Sequence, residues 1–140
     1  YGLIIEKGKI LLIKKNGGPY DGKLDLPGGT IEFCEKPAET LKRELMEEVG
    51  IEVNKFELFD ADSIAFDWQF KEDVIVKVHH TGIFFKVYDY KNDIKKSVKI
   101  DEQNNDSLGA EFYDIEGLRK EQLSGIAILE LQKLGYMLVN

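Results

Sequence analysis

With a single cysteine, Cys34, the 140-residue chain cannot close an internal disulfide, which fits a reducing compartment. Long apolar runs are scarce as well. None approaches the ~18 residues that a membrane span needs, and no signal peptide is visible. A cytoplasmic protein with no membrane partner is therefore expected. Basic residues are outnumbered, 19 Lys and Arg against 26 Asp and Glu, for a net charge of −7 and a pI of about 4.9. That balance leaves no broad basic surface and disfavours nucleic acid as a partner. A polyphosphate that arrives with a metal ion is still compatible with it. Internal repeats, linkers and low-complexity tracts are missing too. What is present is ordinary for a soluble globular protein, 43% hydrophobic and 32% charged. Residues 1–140 are expected to form one domain with a real core. The chain opens at Tyr1 inside an expected strand, and a few native residues are expected ahead of it.

Residues 2–15 read as a hairpin that turns near Lys7-Gly8-Lys9. Residues 16–23 are a loop by composition, more a connector than a pocket wall. Leu24-Asp25-Leu26 is a short strand that runs into Pro27-Gly28-Gly29. Residues 52–60 form a weakly alternating strand. Residues 63–70 form a second, with Phe66, Trp68 and Phe70 on one face at period two. That stripe reads first as core packing, and second as a wall on which a nucleobase stacks. Residues 74–88 carry the longest strand signal. His79 and His80 are neighbours on it, face opposite ways and cannot ligate one metal together. Residues 89–105 read as a solvated hairpin end, followed by a strand at Glu111-Phe112-Tyr113. Residues 123–138 are predicted to be a helix with Ile126, Leu129, Leu134 and Leu138 on its apolar face.

The informative stretch is residues 29–51. Pro37 suits a first helical turn, and Gly50 suits the left-handed position just past a helix end. Between them Ala38, Leu41, Leu45 and Val49 make one apolar stripe. Glu44, Glu47 and Glu48 then share one face beside it, at i, i+3 and i+4. Three crowded carboxylates repel one another, and Glu48 also sits where the helix dipole disfavours negative charge. A solvated acidic face is the bland reading of such a triple. A hard divalent cation bound by oxygen ligands is the sharper one. Arg43 can reach Glu47 one turn on, or reach back to Glu35. Cys34 has no neighbour that lowers a thiol pKa and is expected to be a small packed residue.

The sharper reading gains from the whole pattern. Gly29, Glu35, Arg43, Glu44, Leu45, Glu47, Glu48, Gly50 and Ile51 stand at the spacing of the Nudix box, with no insertion. Seven fixed residues at fixed offsets arise by chance well below ~10⁻⁶ of the time. The chain thus resembles the Nudix hydrolases, and Leu26-Pro27-Gly28 is similar to the family's usual lead into the box. Many relatives have Trp where Leu24 stands and Gly where Cys34 stands.

The resemblance implies an α+β fold: an α/β/α sandwich with a mixed central sheet between the box helix and a C-terminal helix. It implies a Mg²⁺ site, with Mn²⁺ as the other ion it would take. The expected ligands are Glu44, Glu48 and the Gly28 carbonyl, with Glu47 either a further ligand or the base that deprotonates water. Arg43 would orient the carboxylates, and Glu35 would support Arg43. The loop before the strand at Glu111 offers Asp106 and Glu102 as candidates for one more acidic ligand. Phe66 and Trp68 are the candidate substrate contacts. The implied reaction is attack of water on a nucleoside diphosphate linked to another moiety. Phosphoryl transfer needs positioning and charge neutralisation more than a Ser, Cys or His nucleophile.

Subfamily signatures are absent. Asp67 stands where the ADP-ribose type carries proline and the dinucleoside-polyphosphate type carries tyrosine. Leu11-Leu12-Ile13-Lys14-Lys15 lacks the coenzyme A type's Arg motif. Elimination leaves a MutT-type (deoxy)nucleoside triphosphate pyrophosphatase acting on a nucleotide-type small molecule. The alternatives are a nucleotide-sugar or ADP-ribose diphosphatase, and a non-catalytic nucleotide sensor. Homodimerisation is common among such proteins, but no interface is specified.

Overall fold

The computed structural model describes residues 1–92 and 107–140. Its strands are β1 (Gly2–Leu3), β2 (Ile5–Glu6), β3 (Lys9–Lys15), β4 (Leu24–Asp25), β5 (Glu52–Lys71), β6 (Val74–Lys91) and β7 (Ser107–Asp114). Its helices are α1 (Pro37–Val49) and α2 (Gly125–Lys133). The hairpin expected at the start of the chain is shorter than its sequence suggested. Ile5 and Glu6 pair with Ile10 and Lys9, but Gly2 and Leu3 leave for another sheet, where they run parallel to β6 at Phe85 and Lys86. The change of sheet falls at Ile4, which is buried and accepts the Leu11 N–H at 3.0 Å.

One sheet has the order β1-β6-β5. The other is built on β3, with β7 along one edge and β2 and β4 sharing the opposite edge. β3 explains why its sequence is a continuous apolar run. Ile10 and Leu12 enter one core with Leu26, Phe84, Ile126 and Leu131. Leu11 and Ile13 enter the other, with Leu41, Leu45, Val49, Phe85 and Val87. A strand covered on both faces alternates between two apolar environments, not between oil and water. α1 covers one side and α2 the other, so the α+β sandwich follows.

α1 begins with Pro37 in its first turn and ends on Gly50 at φ 80°, whose N–H reaches the carbonyls of Leu45 and Met46. Burying Leu41, Leu45 and Val49 completely stabilises the docked helix by about 1.5–3 kcal/mol per side chain.

Four expectations need correction. Residues 52–71 are one 20-residue strand. Register shifts at positions 53–56 and 58–60 disturb its alternation and made it read as two. The last helix stops at Lys133, just before Gly135 turns to φ 93°. Its buried face is Ile126, Ala127, Glu130 and Leu131; Leu129 lies off that face, and Leu134 and Leu138 follow the helix. Cys34 is exposed and left-handed, φ 65°, a conformation cheap only for glycine. Loop 16–23 is anchored rather than loose, because Tyr20 is buried in the α2-side core.

Candidate active site

The turn before α1 requires both of its glycines. Gly28 has φ 150°, and a Cβ there would stand 2.6 Å from Tyr1 Cδ1 and 2.7 Å from Tyr1 Cα. A Cβ on Gly29 would collide with the carboxyl of Glu44. The chain therefore passes directly under the acidic face of α1, pinned by Gly2 N–H donating to Pro27 O at 2.9 Å.

Arg43 is the hub of that face. Its Nε donates to Glu35 Oε2 at 2.7 Å, and one terminal nitrogen donates to Glu35 Oε1 at 2.9 Å and to Thr30 O at 3.0 Å. The other donates to Glu44 Oε1 at 2.8 Å and Glu47 Oε2 at 3.2 Å. All five guanidinium N–H bonds thus have acceptors, so the plane of the group is set. The Arg43 bonds, and next a bond from Thr40, lower the Glu35 pKa to about 2. Glu35 in turn holds Arg43 well above its ordinary value.

The three box glutamates differ in exposure. Glu48 is 7% exposed, and the Glu44 and Glu47 side chains are 15% and 59% exposed. The Glu44 carboxyl lies over Gly29, and Glu48 is turned inward and buried. Glu47 points to solvent with Arg43. The donors are all carboxylate oxygens, a hard set that suits Mg²⁺ or Mn²⁺ chemistry. Among the described residues, no three His, Cys, Asp or Glu groups converge closely enough to cage an ion. Asp106 and Glu102 lie outside the described residues.

A cleft of about 370 Å³ opens beside this face, between Gly29, Thr30 and Thr40 on one wall and His80, Thr81 and Gly82 on the other. His80 is clamped: Tyr20 Oη lies 2.7 Å from Nδ1 and Tyr1 Oη lies 2.9 Å from Nε2. Burial, and then the charge of Lys15, lower its pKa, so it is a neutral, structural imidazole. His79 is exposed on the opposite face of β6.

Phe66 and Trp68 do not join the glutamates. Phe66 stacks on Tyr20 with centroids 5.5 Å apart, behind His80. Trp68 sits further along the hairpin, edge-on to Phe70 at 5.1 Å. Neither lines the cleft beside Gly29. Sequence reasoning passed over Thr40, whose Oγ1 donates to Glu35 Oε1 at 2.5 Å, and over the Thr30 carbonyl, which carries no side-chain signal. It also passed over Asp25, buried and bonded to Ser124 Oγ at 2.5 Å. A buried aspartate between two leucines was the available clue there.

A NUDIX domain model matches residues 2–128. Over 73 residues the chain is 37% identical to the 8-oxo-dGTP diphosphatase of Proteus vulgaris, covering 52% of this chain and 57% of that protein. Over 50 residues it is 44% identical to the ADP-ribose pyrophosphatase of Methanocaldococcus jannaschii, covering 36% and 30%. The matched regions thus span about half and less than a third of these relatives' lengths. Among solved structures, the MutT NUDIX hydrolase from Burkholderia pseudomallei superposes with a TM-score of 0.76 at 22% identity, covering 95% of this chain and 93% of that one. With the match running through both core layers and the whole glutamate-bearing helix, the chain belongs to the NUDIX domain family.

Proposed function

We propose that this protein is a divalent-metal-dependent pyrophosphohydrolase that cleaves a (deoxy)nucleoside triphosphate to the monophosphate and pyrophosphate. The observation that carries this reading is the Arg43 hub. One guanidinium holds Glu44 and Glu47 on the acidic face of α1 and is itself locked by Glu35. A solvated acidic surface has no use for an arginine with every donor committed. The 8-oxo-dGTP diphosphatase relative points to the same substrate class.

Glu44, Glu48 and the Gly28 carbonyl are the groups that would hold Mg²⁺. When bound, the ion neutralises phosphoryl charge and acidifies water. The protein's own groups do the rest. Arg43 keeps Glu44 from swinging away. Glu47, exposed and held by a single longer bond, is either a further ligand or the acceptor of the proton from attacking water. As the water oxygen bonds to phosphorus, the P–O bond of the α–β bridge breaks, and the group expelled, pyrophosphate or the nucleoside monophosphate, carries off the electron pair. The cleft lined by Thr30, Thr81 and the clamped His80 offers room for part of the substrate.

A second reading, an ADP-ribose diphosphatase, is favoured by the 44% identity to the archaeal relative of that name. Incubation with Mg²⁺ and a panel of deoxynucleoside triphosphates, 8-oxo-dGTP and ADP-ribose separates the two. Release of pyrophosphate from a triphosphate is expected. AMP and ribose 5-phosphate from ADP-ribose alone would favour the second reading. Tight binding without cleavage of any compound would leave a nucleotide sensor.

A further inference from the structure

We propose that the Thr40 hydroxyl is a positioning group for the acidic site: by fixing the Glu35 carboxylate, it sets the plane of Arg43 and, through Arg43, the placement of Glu44 and Glu47. The proposal rests on the reading of that site as catalytic, and it adds a residue outside the spaced pattern of the box.

Thr40 lies on α1 one turn before Glu44 and is buried. A buried hydroxyl in a helix, here at the end of the first turn, usually bonds back to the carbonyl four residues earlier. Here that carbonyl, Lys36 O, is 3.3 Å away, while Glu35 Oε1 is at 2.5 Å. The single hydroxyl proton therefore goes to the carboxylate, the charge-assisted and stronger choice. Glu35 Oε1 then receives three donors: Thr40, Arg43 and, more weakly, the Glu32 N–H at 3.2 Å. Oε2 receives Arg43 Nε.

The last torsion of a glutamate side chain is broad and nearly two-fold. Arg43 grips both Glu35 oxygens, but through one side chain. The Thr40 hydroxyl adds a donor from a second, buried position on the helix, a further restraint on that torsion. Arg43 keeps one terminal nitrogen on Thr30 O and the other on Glu44 and Glu47 only while the plane of Glu35 stays put. Thr40 also borders the cleft, but its hydroxyl is committed to Glu35, so loss of the hydroxyl alone is expected to act through Arg43 on turnover more than on substrate affinity.

The test compares Thr40→Val, which keeps the shape and loses the hydroxyl, with Thr40→Ser, which keeps the hydroxyl. Thermal melting monitors the fold, and Thr40→Ala serves as a second hydroxyl-free variant if valine does not fold. Two readouts are taken: Mg²⁺-dependent kcat and KM, and the ¹⁵N-detected Arg43 Nε–H resonance of the metal-free protein. Valine is expected to lower kcat about tenfold with KM changed less than about threefold, the loss of one charge-assisted bond. It is also expected to abolish the protected Arg43 signal. Serine is expected to restore both to within about twofold of wild type. A valine variant with wild-type kcat and an unchanged Arg43 signal overturns the proposal. So does a serine variant as impaired as valine, or a change confined to KM. If the wild-type protein cleaves nothing, the catalytic reading falls and the Arg43 resonance alone decides whether Thr40 holds the network.

Discussion

The two helices of the sandwich each carry an acidic patch, one partly exposed and one buried, and their charge is met in different ways. At α1, Glu35 just ahead of the helix and Glu44 and Glu47 on it are gathered by Arg43, and the bonds that hold Glu35 lower its pKa to about 2. On α2, Glu130 is fully buried, and neither of its carboxyl oxygens has a hydrogen-bond donor from a neighbour. Burial, and then the adjacent Asp60, raise its pKa to about 8. Lys133, one turn along at the edge, spends its charge on Asp60 and Asp62 instead. One helix answers its acids with a guanidinium, the other with a proton. The lesson is that acidic content does not mark a functional site. What separates the two patches is the company the acids keep: an arginine with every donor committed on one helix, and burial without a cation on the carboxyl on the other.

The sharpest break of this contrast is Glu48→Gln. It should cut Mg²⁺-dependent turnover at least ~10²-fold, in the range seen for electrostatic catalytic groups, while the melting temperature stays close to wild type. Initial rates under saturating Mg²⁺ check it. Next comes Arg43→Lys. A point charge cannot serve five acceptors, so turnover should fall about tenfold or more, with the Glu35 carboxyl pKa rising toward its ordinary value in a ¹³C titration. A third effect is on stability. Gly50→Ala must hold a left-handed residue at the end of α1, which should destabilise the fold by about 1 kcal/mol in urea denaturation. Smallest is a pH effect on the other helix. The folded-state pKa of Glu130 lies above its unfolded value, so the native state binds the extra proton between about pH 4.5 and 8. Stability should therefore decline as pH rises through that window. Glu130→Gln, already neutral, should flatten the decline, as melting curves at pH 5 and pH 8 would show.

Much of the α1 side was legible in the sequence because its signals are local. Proline at the start, glycine at the end and fixed spacing between acids need no knowledge of distant residues. Glu47 and Glu35 were named as alternative partners of Arg43, and both bond it; its bond to Glu44, its ion pair with Glu32, the Thr30 carbonyl and the support from Thr40 were not named. Thr40 and the Thr30 carbonyl enter through hydrogen bonds that leave no periodic trace. The α2 side was less legible. Glu130 occupies an apolar position of the helix, which inverts the rule used to find the buried face, so Leu129 was placed on that face in error. The β1 exchange between sheets was hidden because residues on both sides of Ile4 are equally apolar. Cys34 was misjudged because a positive φ cannot be read from a cysteine. The glycine common at that position in relatives was the available hint. The strand aromatics divide: Phe66 packs on Tyr20 at the margin of the core, and Trp68 packs on Phe70 further along the hairpin, away from the cleft.

Mn²⁺ binding, followed by loss of the free-ion electron paramagnetic resonance signal, tests the central contrast directly. The wild-type protein and Glu130→Gln should both take up the ion, with affinities within about threefold of one another. Glu44→Gln and Glu48→Gln should lose at least about tenfold. Equal uptake by all four proteins, or loss only in Glu130→Gln, would contradict the assignment of the ion to the arginine-held face.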